Sequence, residues 1–95
     1  MNILIVGMDE DKAREQYGTE IDLLLCKFEN YGRVFIDEDI IPTSINDSPF
    51  IKMTYHNQLL HALFVVLLPN LKLTTAKYIK TLAETWGVPT VALFA

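Results

Sequence analysis

Asn2-Ile3-Leu4-Ile5-Val6-Gly7 is the stretch on which the fold turns. A strand with one wet face alternates apolar and polar residues, whereas this run is apolar at every position from Ile3 to Val6. It therefore reads as a strand buried on both faces, the central strand of a parallel sheet. The acidic turn Met8-Asp9-Glu10-Asp11 follows, and then Ala13, Tyr17, Ile21, Leu24, Leu25 and Phe28 recur at helical spacing. This spacing predicts a helix from about Asp11 to about Asn30, weak at Gly18. A fresh N-cap at Thr19 is the alternative, leaving residues 9–18 as a loop or short separate helix.

Further along, Tyr31-Gly32 ends the helical pattern and Arg33-Val34-Phe35-Ile36 forms a second strand. After a polar connection, Asp37 to Asp47, the pair Ser48-Pro49 reads as N-cap and N1 proline. It opens a second helix with Ile51, Tyr55, Leu59 and Ala62 on one face. Leu63 to Leu68 is a third buried strand, stopped by Pro69-Asn70. A third helix is expected from about Thr75 to Trp86, with Ala76, Ile79, Leu82, Ala83 and Trp86 inward and Tyr78 at the surface. Gly87-Val88-Pro89 then leads into a last strand, Thr90 to Phe94.

The order βαβαβαβ, joined by right-handed crossovers, predicts four parallel strands in the order 2-1-3-4 with three helices on the two faces. This is a small α/β domain of flavodoxin-like or Rossmann-like type, one domain over residues 1–95. The usual flavodoxin-like sheet has a fifth strand and a last helix beside the first. Without them, the uncharged strand 4 is expected to present an open apolar edge carried by Trp86, Val91, Leu93 and Phe94. A first helix tilted across that edge is the competing reading.

Composition narrows the function classes. The chain is 51% hydrophobic and 21% charged, the balance of a folded domain rather than a disordered one. One cysteine, Cys26, forms no intramolecular disulfide, which favours a cytoplasmic setting; it is expected to be buried in the first helix. No apolar run approaches the ~20 residues of a membrane span, and the N-terminus has no signal-peptide pattern. The net charge of −4 is unevenly spread. Residues 1–47 carry eleven acidic and four basic side chains, whereas residues 48–95 carry four lysines and only Glu84 as acid. Nucleic-acid binding needs clustered basic residues and is not expected.

Ligands of open α/β sheets bind at the carboxyl ends of the strands. There the sequence places Gly7, Met8 and Asp9 after strand 1, Asp37, Glu38 and Asp39 after strand 2, and Pro69, Asn70 and Thr74 after strand 3. Asp9, Asp37, Asp39 and Asn70 are the candidate ligand or metal rim. Carboxylates of this kind offer Mg²⁺ one or two ligands; a solvated acidic loop competes with that reading. Asp9, Glu10, Asp11, Asp37, Glu38 and Asp39 also form an acidic patch suited to a basic protein surface. No glycine-rich phosphate loop is present, and carboxylates disfavour phosphate. His56 and His61, five apart, do not form the i, i+4 pair of a zinc helix.

Two families share this pattern. The stretch Leu67-Leu68-Pro69-Asn70-Leu71 through Pro89-Thr90-Val91-Ala92-Leu93-Phe94-Ala95, with Ile3 to Val6 and the acidic turn, resembles a response-regulator receiver domain. In that comparison the phosphoacceptor position falls on Val65 and the hydroxyl position on Phe94, so no phosphorylation is implied. Thr74-Thr75-Ala76 and Gly87-Val88-Pro89 resemble parts of nucleoside 2-deoxyribosyltransferase-like domains. Their catalytic glutamate would fall near Tyr78 or Ile79. No catalytic residue is assigned. The reading is a non-enzymatic interaction module, acting as a homodimer, adaptor or inhibitor; the alternative is a small nucleotide- or nucleoside-handling enzyme with a composite rim site.

Overall fold

The computed structural model describes residues 1–41 and 61–93. Strands β1 (Asn2–Gly7), β2 (Gly32–Asp37), β3 (Ala62–Leu67) and β4 (Thr90–Ala92) form one sheet in the order β2-β1-β3-β4. Every neighbouring pair is parallel. Among the described residues there are two α-helices, α1 (Glu10–Leu25) and α2 (Leu73–Trp86), and a 3-10 turn at Glu38–Ile40. Of the three helices expected, the middle one falls on residues 42–60, outside the described residues. Its expected last position, Ala62, is instead the first residue of β3.

The central position of β1 follows from its side chains. Ile3 and Ile5, with Met8 just past the strand end, pack on one face with Ala13, Ile21 and Leu25 of α1, while Leu4 and Val6 pack on the other with Ile79 and Ala83 of α2. Both layers are thus anchored on one six-residue strand. Burying a large aliphatic side chain contributes about 1.5–3 kcal/mol, so Ile3 to Val6, all within 1% of complete burial, form the energetic centre of the fold.

Local chemistry sets the helix ends. The Asp9 carboxylate accepts from the Lys12 amide at 2.9 Å, and Glu10 and Asp11 occupy the first turn, where negative charge meets the positive end of the helix dipole. Tyr17 departs from helical geometry, a kink one residue before the glycine at which weakness was expected. The helix stops at Leu25 rather than about Asn30; tight turns then bond Phe28 to Leu25 and Tyr31 to Phe28. At its other end α2 closes on Gly87, whose left-handed φ of 70° is a conformation glycine adopts without strain. The Gly87 and Val88 amides bond the Glu84 and Ala83 carbonyls, a Schellman arrangement that turns the chain into β4.

One irregularity shapes the surface. Between Asn2 and Leu4 the strand β1 advances two residues, while β3 advances three, from Ala62 to Val65. The extra residue is a bulge. It brings Leu63 and Phe64 together onto the α1 side, where both pack against that layer.

Candidate functional site

The carboxyl ends of β1, β2 and β3 enclose a polar cleft of about 240 Å³, lined by Gly7, Met8, Lys12, Gln16, Asp37, Asp39 and Asn70. Its floor is fixed by the parallel register, which sets Gly7 beside Asp37, and by the Asn70 amide, which donates to the Gly7 carbonyl at 2.8 Å. Asp37, Asp39 and Asn70 of the expected rim meet here. Asp9 does not line the cleft, because its carboxylate is turned to the start of α1.

The acids of the rim have distinct employments. An Asp37 oxygen accepts from the Asp39 amide at 2.9 Å, closing the 3-10 turn. Glu38 accepts from the Lys72 amide at 3.0 Å and so ties the end of β2 to the start of α2. Glu10 pairs with Arg14 at 2.8 Å, and Arg14 lies over the Phe35 ring at 5.4 Å. Asp11 is exposed on the first turn of α1. Among the described residues no three His, Cys, Asp or Glu side chains gather in a way that would hold a metal ion.

Lys12 and Gln16 were not among the expected site residues. The signal for them lies in the spacing of Met8, Lys12 and Gln16, which repeats every four residues and keeps one face of α1 toward the strand ends. Lys12 brings a cation to a cleft that otherwise reads as acidic.

The second surface is the β4 side of the sheet. In the described residues β4 pairs with β3 alone, so it stands at a sheet edge. On the α1 side a groove of about 420 Å³ runs between Leu24 and Phe28 of the α1 end, Leu63 and Phe64 of the bulge, and Pro89 and Val91. Phe28 and Phe64 meet edge to face at 5.1 Å in its wall. Val91, paired in register with Val66, is 36% exposed.

Several expectations for this side are corrected. Leu93 is not part of an open edge: it is 8% exposed and packs with Met8 and Leu68 in the α1-side layer. Trp86, expected inward on its helix and also on the open edge, is not a core residue: it is 42% exposed at the last position of α2, as the edge expectation has it. Tyr78, expected at the surface, packs against the α2-side core. Cys26, expected buried, is exposed: it keeps helical φ and ψ at the C-cap and lies four residues after the exposed Asp22, on the face next to the buried Ile21 and Leu25. Phe94 lies outside the described residues, as does His56.

No protein-family model, curated protein or solved structure significantly matches this chain. Among the described residues no helix is long and apolar enough to cross a membrane. The α/β class therefore rests on the observed sheet and its order.

Proposed function

We propose that the chain is a non-enzymatic protein-interaction module, acting as a homodimer or as an adaptor or inhibitor of another protein, with the β4 side as its contact surface. The observation that carries this reading is the apolar groove of Leu24, Phe28, Leu63, Phe64, Pro89 and Val91 beside an edge strand that carries no charge. Concave apolar surfaces next to an open strand edge are the usual substrate of strand addition and of anchor docking. The acidic rim is a second surface, suited to guiding a basic partner.

Light scattering over a range of concentrations tests the homodimer form, with Val91→Lys as the comparison. The expected result is a wild-type dimer and a folded monomeric variant. If both are monomeric, the adaptor or inhibitor form is tested by affinity capture, and equal capture by the two proteins overturns the use of the β4 side.

The polar cleft favours a second reading, in which a nucleoside or nucleotide is held at the rim, with Mg²⁺ where phosphate is present. Asp37, Asp39, Lys12 and Asn70 supply both acceptors and donors around about 240 Å³. Thermal shift with nucleosides, nucleotides and Mg²⁺ tests it, because a ligand of the folded state raises the melting temperature. A flat response across the series overturns it.

A further inference from the structure

A third concavity, of about 400 Å³, lies at the carboxyl ends of β3 and β4, against the first half of α2. Its volume falls within the ~300–1,000 Å³ of small-molecule pockets, and this is the end of an α/β sheet at which ligands are taken. Leu67, Leu71 and Leu93 give it apolar walls, and the space is left by two small side chains, Ala76 on α2 and Ala92 on β4. Lys80 is the charged residue of the lining. It stands one turn after Ala76 on the same helix face and forms no ion pair with another described residue.

Charge across the molecule points the same way. Described residues 61–93 carry Lys72, Lys77 and Lys80 against the single acid Glu84, whereas carboxylates crowd the ends of β1 and β2. Such a field directs anions toward the α2 side and away from the rim cleft. An apolar lining with one cation at this end selects a ligand that is itself apolar over most of its surface and carries one negative charge.

We infer that this pocket binds a small organic acid, its apolar body seated between Ala76 and Ala92 and its carboxylate against the Lys80 ammonium. This goes beyond the interaction reading and does not depend on it.

The test is amide NMR on the full chain titrated with sodium hexanoate and, in parallel, with 1-hexanol. Hexanoate is expected to shift the Leu71, Ala76, Lys80 and Ala92 amides with a Kd of about 1 mM. Lys80→Met should weaken hexanoate about threefold to fivefold, the worth of an exposed charge pair, and leave hexanol unchanged. Ala76→Leu, which fills the space from a half-buried helix position, should remove binding of both. Equal affinity of the wild-type protein for acid and alcohol overturns the proposal without any variant. Absence of shifts, or shifts centred on Asp37 or Val91, overturns it as well.

Discussion

Asn70 donates its side-chain amide to the Gly7 carbonyl across 2.8 Å, joining the turn after β3 to the last residue of β1. The contact requires glycine at position 7. Its φ is +143°, and a Cβ there would stand 2.6 Å from Asn70 Oδ1 and 2.8 Å from Leu68 Cβ. Thus the floor of the rim cleft is set by a backbone conformation and a close approach that no side chain tolerates.

Gly7→Ala should therefore destabilise the protein, by about 1–3 kcal/mol from the backbone conformation alone and more from the contacts. Gly18→Ala is the control: nothing lies within 4 Å of the position where its Cβ would stand, and it sits within α1. It should stabilise by about 0.5–1 kcal/mol through helix propensity. Urea unfolding of the two variants checks both signs. Destabilisation by Gly18→Ala would mean that the kink at Tyr17 depends on that glycine.

Asn70→Ala should cost about 1 kcal/mol, the net worth of a hydrogen bond, with loss of order at the cleft. Asn70→Asp keeps the shape but replaces the donating amide by a carboxylate facing a carbonyl, and should cost more. Denaturation midpoints give the ranking. Equal stability of Asn70→Asp and wild type would show that the Gly7 carbonyl gains nothing from this donor.

The strand order β2-β1-β3-β4 was legible because Ile3 to Val6 and Val65 to Leu67 are apolar on both faces, which only a sheet covered on both sides accommodates. Helix ends were less legible. Phe28 continues the helical spacing of Ile21 and Leu25, yet it reaches the core from a turn, since an aromatic side chain three residues past the helix end still spans to Phe64. Exposure along β4 was legible in part: Val91, expected on the open edge, is 36% exposed, whereas Leu93, expected beside it, is buried. Val91 and Leu93 share a face by alternation, but Leu93 meets Met8 and Leu68 beyond the strand end while Val91 faces the groove. Burial of Leu93 depends on the residues that follow β1 and β3, Met8 and Leu68, a tertiary fact with no local signature. At the rim, the acids were visible as a cluster, whereas their use as caps and ties depended on which amide each carboxylate reaches.

Cys26 follows the end of α1 and is exposed, so Ellman's reagent should modify it in the folded protein at a rate close to that of the unfolded chain. Cys26→Ser should change stability by no more than about 0.5 kcal/mol, the range of surface substitutions. Protection of the thiol under native conditions would place the end of α1 differently, with Cys26 turned inward.

Asp9 offers a separate check on the rim acids. Its carboxylate caps α1 through the Lys12 amide, so Asp9→Ala should cost about 1 kcal/mol, while Asp9→Ser retains an oxygen acceptor and most of the stability. If the acidic patch guides a partner, the two variants separate stability from charge, because both remove the same negative charge. Association slowed equally by both, with stability lost only in Asp9→Ala, assigns the charge to the partner and the oxygen to the helix.

The edge-to-face pair Phe28 and Phe64 joins the turn after α1 to the bulge of β3, and it forms one wall of the β4-side groove. Aromatic pairs of this geometry contribute about 0.5–1.5 kcal/mol beyond the area they bury. A double-mutant cycle of Phe28→Leu and Phe64→Leu, followed by urea unfolding, should give a coupling in that range. Its value also reports on the groove. A wall held by a coupled pair is a fixed surface onto which a partner docks without first ordering it, whereas zero coupling would mean that Phe28 and Phe64 move independently and that the groove forms only when something fills it.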